Sequence, residues 1–262
     1  MKNFWQNLPK PIFALAPMES VTDTVFRQII ASCGKPSVSF TEFTNVDGLF
    51  SKGKKQVEHR LLFQSKEKPL IAQIWGMKPE NYTKAAKMID DMGFDGIDIN
   101  MGCPERNVVR RGACAGLIHN KALVTEIIAA TKEGAVNLPV SIKTRIGIKD
   151  IETESWISFL LEQKLDALTI HLRTAHEMSQ AMPHFEELPK IVELRNKISP
   201  RTIILANGDI ETIDDAKEKI KQYGIDGVMI GRGIFKNPFL FADNKTLEDL
   251  SSNERMELLL RH

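Results

Sequence analysis

The stretch "LIAQIWGMKPENYTKAAKMIDDMGFDGIDINMGCP", Leu70 to Pro104, carries two kinds of periodicity in immediate succession. "LIAQIWG" is almost continuously apolar, the pattern of a parallel strand covered on both faces rather than one half open to water. In the segment that follows, Pro79 suits a first helical position, and Tyr82, Ala85, Ala86, Ile89 and Met92 recur on one apolar stripe. Gly93 then stands where a left-handed C-cap is wanted, before a second apolar run, "GIDINMG". Strand, helix, strand in succession is one strand-then-helix unit of a parallel sheet.

The same grammar extends outward in both directions. Apolar, β-branched runs begin at Ile12 ("IFALAP"), Ser37 ("SVSFTEF"), Pro139 ("PVSIKTR"), Ala167 ("ALTIHLR"), Ile203 ("IILANGD") and Gly227 ("GVMIGRG"). Helical patterns lie between them, one opened by Asn120 and closed by Gly134, another capped by Thr212 and stopped by Gly224. Eight strand-then-helix units in about 240 residues predict an α/β fold of the (β/α)8 TIM-barrel type, with an open doubly wound sheet as the runner-up. The barrel is expected over residues 1–242. Residues 243–262 change to a polar, helix-forming composition and read as the start of a C-terminal helical region, with an apolar patch at Leu258 to Leu260.

Composition bounds the rest. The 262 residues are 42% hydrophobic and 26% charged, with a formal charge of +1, so no global positive field announces a polyanion and any such site must be local. Three cysteines, Cys33, Cys103 and Cys114, show neither disulfide-scaffold nor zinc spacing, so reduced thiols and no metal are expected. No run reaches the ~18 to 20 apolar residues of a membrane span. The expectation is a cytoplasmic, monomeric protein without a membrane partner.

In a parallel barrel, chemistry gathers at the C-terminal ends of the strands. In order, those ends offer Pro17, Met18 and Glu19; Glu42; Gln73; Asn100 with Cys103; Lys143 with Arg145; His171 with Arg173; Asn207, Gly208 and Asp209; and Gly231 with Arg232. The last two loops commonly hold a phosphate in such barrels, and "ANGDI" and "IGRGIF" supply glycines plus a cation for one. Lys143, inside "VSIKTRIG", wants an anionic or electron-rich neighbour to offset its desolvation. Gln73 is placed to bind the edge of a flat heterocycle, or to be satisfied by backbone.

Together "LAPMESVTDTVFR", "AQIWG", "GIDINMGCPERNVVRRGACAGL", "VSIKTRIG", "TIHLRT", "ILANGDI" and "DGVMIGRGIFKNPFLF" resemble the bacterial tRNA-dihydrouridine synthases, in order from about Ile12 to Phe241. The resemblance implies an FMN-dependent oxidoreductase of tRNA, with NADPH as reductant. It puts Pro17, Met18 and Glu19 under the flavin, Gln73 and Lys143 at its ring system and His171 close by, and the flavin phosphate on Asn207, Gly208, Asp209, Gly231 and Arg232. Asn100 and Cys103 would face the uracil, Cys103 as the proton donor from a thiol with a pKa near 8.5. Arg106, Arg110 and Arg111 are then candidate grips on RNA phosphates, joined by Arg145 and Arg173 at their strand ends; Cys114 is expected to pack the loop.

Two departures from the family pattern stand out: Ser20 occupies a position usually held by glycine, and "GACAG" replaces a more glycine- and alanine-rich stretch. The family also continues into a helical domain of which only the beginning is present. A flavin barrel acting on a free pyrimidine, as in the dihydroorotate dehydrogenases with their similar N-x-x-C-P turn, is the alternative enzyme. An RNA-binding barrel without chemistry is the third reading.

Overall fold

The structure, a computed structural model, describes residues 4–242 and 246–261. In chain order the elements are α1 (Phe4–Asn7), β1 (Ile12–Leu15), α2 (Thr24–Cys33), β2 (Val38–Phe40), β3 (Thr44–Asn45), α3 (Val46–Leu49), β4 (Leu70–Trp75), α4 (Pro79–Met92) and β5 (Gly96–Met101). There follow α5 (Arg106–Arg110), α6 (Lys121–Gly134), β6 (Val140–Arg145), α7 (Thr153–Glu162), β7 (Ala167–His171), α8 (Leu188–Ile198), β8 (Ile203–Asn207), α9 (Ile213–Tyr223), β9 (Gly227–Ile230) and α10 (Ser252–Arg261). Every strand pair is parallel, and β1 pairs with both β2 and β9 while β2 pairs with β4. The sheet is therefore closed and the open-sheet alternative falls. The eight sequence-expected strands are all present; the short β3, which extends the edge of β4 at Thr44 and Asn45, is additional.

Closure dictates a glycine. Ile12 of β1 registers against Gly227 of β9, and a Cβ on Gly227 would stand 2.1 Å from the Ile12 carbonyl oxygen. The helical signals behave as their chemistry requires in α4, where Pro79 opens the first turn and Gly93 caps it at φ 80°. Asn120 and Thr212 accept from Leu123 and Asp215 amides at 3.1 Å, and Gly224 stops α9 at φ 67°. Two details differ from expectation. Met92 is 40% exposed, so the α4 stripe ends at Ile89. Gly134 lies within α6 instead of capping it, because α4 packs so closely there that a Cβ would meet the Thr83 carbonyl at 2.2 Å.

The register sorts the interior into layers. At the bottom, Ile12, Ala14, Ile203 and Leu205 form an apolar cluster with Trp5 of α1, which is fully buried. Toward the C-terminal ends the inward positions become polar. Gln73 registers with Asp98 and Asp98 with Ser141; one level up Asn100 registers with Lys143 and Lys143 with Thr169; above these Arg145 registers with His171 and His171 with Asn207. Paired residues of a sheet share a face, so a period-two pattern in single strands becomes a polar floor across five of them. Replacing Gly227 by alanine is expected to destabilise the protein by about 3 kcal/mol or more in urea unfolding, because the clash is with backbone and cannot be relieved by a rotamer change.

Candidate active site

The polar floor opens into a cavity of about 500 Å3 lined by Pro17, Met18, Lys143, His171, Asn207, Gly208, Asp209, Gly231 and Arg232, all of them sequence candidates. Ser179 and Lys236 also line it and were not anticipated. Beside it, Glu105, Arg106, Asn107, Arg110 and Met178 surround a second hollow of about 630 Å3 at the barrel mouth. Met178 and Ser179 are consecutive, so the loop after β7 borders both.

The first cavity has the features of a ligand cradle. Buried His171 Nδ1 has no hydrogen-bond partner, a state that costs free energy unless a bound group supplies one. Burial first, then the positive charges of Arg145 and Lys143, push the His171 imidazole well below its usual pKa, so it is neutral at physiological pH. Gly208 has φ 139°, accessible only to glycine, and a Cβ on Gly231 would project toward Ala16 and Met18 at 3.7 and 3.8 Å. Arg232 donates to Asp209 at 2.7 Å while remaining 61% exposed. Lys143 is half-buried at the floor; burial lowers its ammonium to about 8 and Asp98 and Cys103 pull it the other way. The anionic neighbour that its position demanded is thus Asp98, two residues before Asn100.

Cys103 follows β5 on a turn held from below. Asn100 Oδ1 accepts from the Gly102 and Cys103 amides at 3.0 and 2.9 Å, and Asn100 Nδ2 donates to Gln73 Oε1 at 3.0 Å. Gln73 Nε2 in turn donates to Asp98 at 2.7 Å. Asn100 and Gln73 are therefore spent on the protein through these contacts, and neither lines the cavity. Glu105 caps α5 through the Asn107 and Val108 amides at 3.1 and 2.8 Å.

The thiol differs from expectation. A hydrogen bond from Cys114, assisted by the Glu105 amide and the charge of Arg145, outweighs burial and brings Cys103 down to about 7, so near neutrality it is divided between thiol and thiolate. Cys114 is fully buried and its own thiol is pushed up by the same contact. It does pack the loop, as expected, but it also tunes its neighbour. Cys114 sits at φ 50° and Ser20 at φ 58°, the left-handed region. Both departures from the glycine-rich pattern therefore fall where glycine is the easy residue, and Ser20 is held there as its amide donates to buried Glu42 at 2.7 Å.

Three further expected placements change. Glu19 pairs with Arg60 outside the cavity. Arg145 is buried and donates to the carbonyls of Gly102, Thr174 and Met178 at 2.8 to 2.9 Å, so it fastens the Cys103 turn to the loop after β7. Arg173, 1% exposed, donates to the Ala181 carbonyl at 2.6 Å and pairs with Asp209. Both guanidinium groups are thus engaged within the protein, whereas Arg106, Arg110 and Arg111 are exposed. The sequence reading missed Asp98 and Ser141, although "GIDIN" and "VSIK" place each two residues before a chosen one, on the same inward face. Among the described residues no group of three His, Cys, Asp or Glu is arranged to hold a metal ion, and no single helix is long and apolar enough to cross a membrane.

A parallel barrel that brings a lysine and a neutral histidine to a glycine-lined cavity at its strand ends, with a thiol on the turn after β5, defines a cofactor-dependent barrel enzyme by its site. The chain belongs to the dihydrouridine synthase (Dus) family, whose model matches residues 14–262. It is 47% identical to the probable tRNA-dihydrouridine synthase 2 of Bacillus subtilis strain 168, over all of this chain and 80% of that one. It is 46% identical to the probable tRNA-dihydrouridine synthase of Staphylococcus aureus strain COL, over all of this chain and 79% of that one. The fold is shared with morphinone reductase in complex with tetrahydroNAD, at a TM-score of 0.59 and 17% identity over 89% of this chain and 85% of that one.

Cys103 should alkylate with iodoacetamide along a pH curve whose midpoint is about 7, rising as the thiolate forms. Removing the hydrogen bond in Cys114→Ala should move that midpoint upward, toward an ordinary thiol. Ser20→Gly should raise stability by about 0.5 to 1 kcal/mol in denaturant titration, by relieving the left-handed strain of a residue with a Cβ.

Proposed function

We propose that this chain is a tRNA-dihydrouridine synthase that reduces uridines of tRNA to 5,6-dihydrouridine, with FMN as its bound cofactor and NADPH as the reductant. Family membership and relatives sharing close to half their residues over the whole chain support the reaction class. The observation that carries the site is His171, a cavity-lining residue whose buried Nδ1 has no hydrogen-bond partner, beside Lys143 and the glycines of the same cavity.

FMN, when bound, supplies the hydride for carbon 6 of the uracil. The residues that would hold it are Pro17 and Met18 along the cavity wall, Lys143 and His171 at the ring system, and Asn207, Gly208, Asp209, Gly231 and Arg232 at the phosphate. The Asp209 carboxylate is neutralised by Arg173 and Arg232, which favours an arriving phosphate and orients Arg232 toward it. Gln73 and Asn100 act from beneath, through the turn they support, and Glu19 through Arg60 at the rim.

Cys103 gives its proton to carbon 5 of the uracil, completing the addition of one hydride and one proton across the carbon 5 to carbon 6 double bond. The Cys114 hydrogen bond, the Glu105 amide and the charges of Lys143 and Arg145 favour the thiolate left behind. The base reaches that thiol only when extruded from folded RNA. Arg106, Arg110 and Arg111 grip phosphates beside the second hollow, a local cationic edge on a protein of net charge +1. The barrel, 1–242, is the catalytic unit and 243–262 begins a helical region that helps hold RNA; residues 243–245 and 262 lie outside those described. A reductant of this kind and a tRNA substrate fit a monomeric cytoplasmic enzyme.

The purified protein should carry FMN and form dihydrouridine in tRNA with NADPH, and leave free uridine and dihydroorotate unchanged; turnover of a free pyrimidine with inert tRNA would reverse the assignment. Cys103→Ala should keep its flavin and lose at least about 100-fold in product formation. Changing Arg106 and Arg110 together to alanine should weaken tRNA binding and flatten the plot of log affinity against log salt by about 1.5 in slope.

A further inference from the structure

The buried carboxylate of Asp98 is not used by the chemistry above, and its surroundings are unusual. It is fully buried in the barrel centre and accepts Gln73 Nε2 at 2.7 Å on one oxygen and Ser141 Oγ at 2.6 Å on the other. Lys143 is its cationic neighbour, without a direct ion pair. Water-filled or apolar barrel interiors do not need a charge here, so the question is what the charge does.

An ionised carboxylate only accepts, so Gln73 must turn its NH2 toward it. The Gln73 oxygen then faces Asn100, which can answer only with its own NH2, at 3.0 Å. That leaves Asn100 Oδ1 pointing up at the Gly102 and Cys103 amides, both donors, at 3.0 and 2.9 Å. Either primary amide has two orientations of similar shape, and an amide alone does not choose between them. The series is pinned at both ends, by the Gly102 and Cys103 amides above and by the carboxylate below, and the two ends require the same orientation.

We propose that Asp98 is a positioning residue for the reduction of uridine: it holds the foot of the hydrogen-bond series Asp98, Gln73, Asn100 in the direction the Cys103 amides require, and so steadies the turn that presents Cys103 to the base. Ser141 holds the carboxylate in place from the neighbouring strand. The inference rests on the tRNA-reductase reading, since it assigns Asp98 to the step in which Cys103 acts.

The test separates the two half-reactions of the FMN-loaded enzyme without oxygen. In Asp98→Asn the side chain presents both a donor and an acceptor, so the foot of the series no longer excludes the reversed contact and loses its charge-assisted hold. Reduction of the bound flavin by NADPH does not need Cys103; it feels the lost charge only through Lys143 and should slow several-fold less than the tRNA step, with KM for tRNA within about twofold of the parent. Reoxidation of the reduced flavin by tRNA should slow by about 10- to 100-fold. Ser141→Ala, which keeps the carboxylate but frees one oxygen, should slow the same step by about fivefold, and it decides the matter if Asp98→Asn does not fold. Equal loss in both half-reactions would make Asp98 merely structural and overturn the proposal, as would parent-like reoxidation in a folded Asp98→Asn or, where that variant does not fold, in Ser141→Ala. If tRNA fails to reoxidise the parent enzyme at all, the functional reading itself falls.

Discussion

Pairing of the first strand with the last is the constraint on which everything else rests. Once β1 lies against β9, with Gly227 leaving room for the Ile12 carbonyl, the sheet has no edge and the inward side chains of its strands share one enclosed space. A closed parallel sheet points all its strand C-termini to one end, so polar residues scattered over most of the chain converge there. Residues as far apart as Pro17 and Arg232 come to line one cavity for that reason.

Within that space the level at which a residue sits decides its task. The lowest polar level, Gln73, Asp98 and Ser141, makes contacts only within the protein and is closed to the cavity. The next, Asn100 and Lys143, divides: one amide is consumed by the Cys103 turn while the ammonium reaches the cavity floor. At the highest, His171 and Asn207 line the cavity, whereas Arg145 turns aside to bind three carbonyls. Loops beyond the strands add what the barrel cannot: the thiol of Cys103, its buried partner Cys114 and the exposed arginines of α5. Desolvation is the common currency, lowering Lys143 and His171 and raising Asp98, while the Cys114 hydrogen bond works against it at Cys103.

Much of the candidate site was legible because strand ends are readable as positions where apolar runs stop. That signal found Lys143, His171, Asn207, Gly208 and Arg232. It did not distinguish Arg145 and Arg173 from cations that face a ligand, because an arginine at a strand end looks the same whether its guanidinium meets water or a carbonyl. It passed over Asp98 for a related reason. A single acidic residue within an apolar run is unexpected, yet its significance lies in Gln73 and Ser141 on neighbouring strands, far away in the sequence.

By itself, the sequence determined the order of the eight principal strands and the helices between them, and the family, because periodicity, capping residues and motif order are local properties of the chain; closure of the sheet rests on the pairing of β1 with β9. It also determined that Cys103 ends a strand in the middle of the functional residues. Only the tertiary structure decided which strand-end groups are spent on the protein and which remain for a ligand. It likewise brought a buried second thiol to the first, which it helps to lower, and hung the turn carrying Cys103 through two amides on a buried carboxylate. Hydrogen-bond partners and desolvation depend on distances between strands, and those exist only once the barrel has closed.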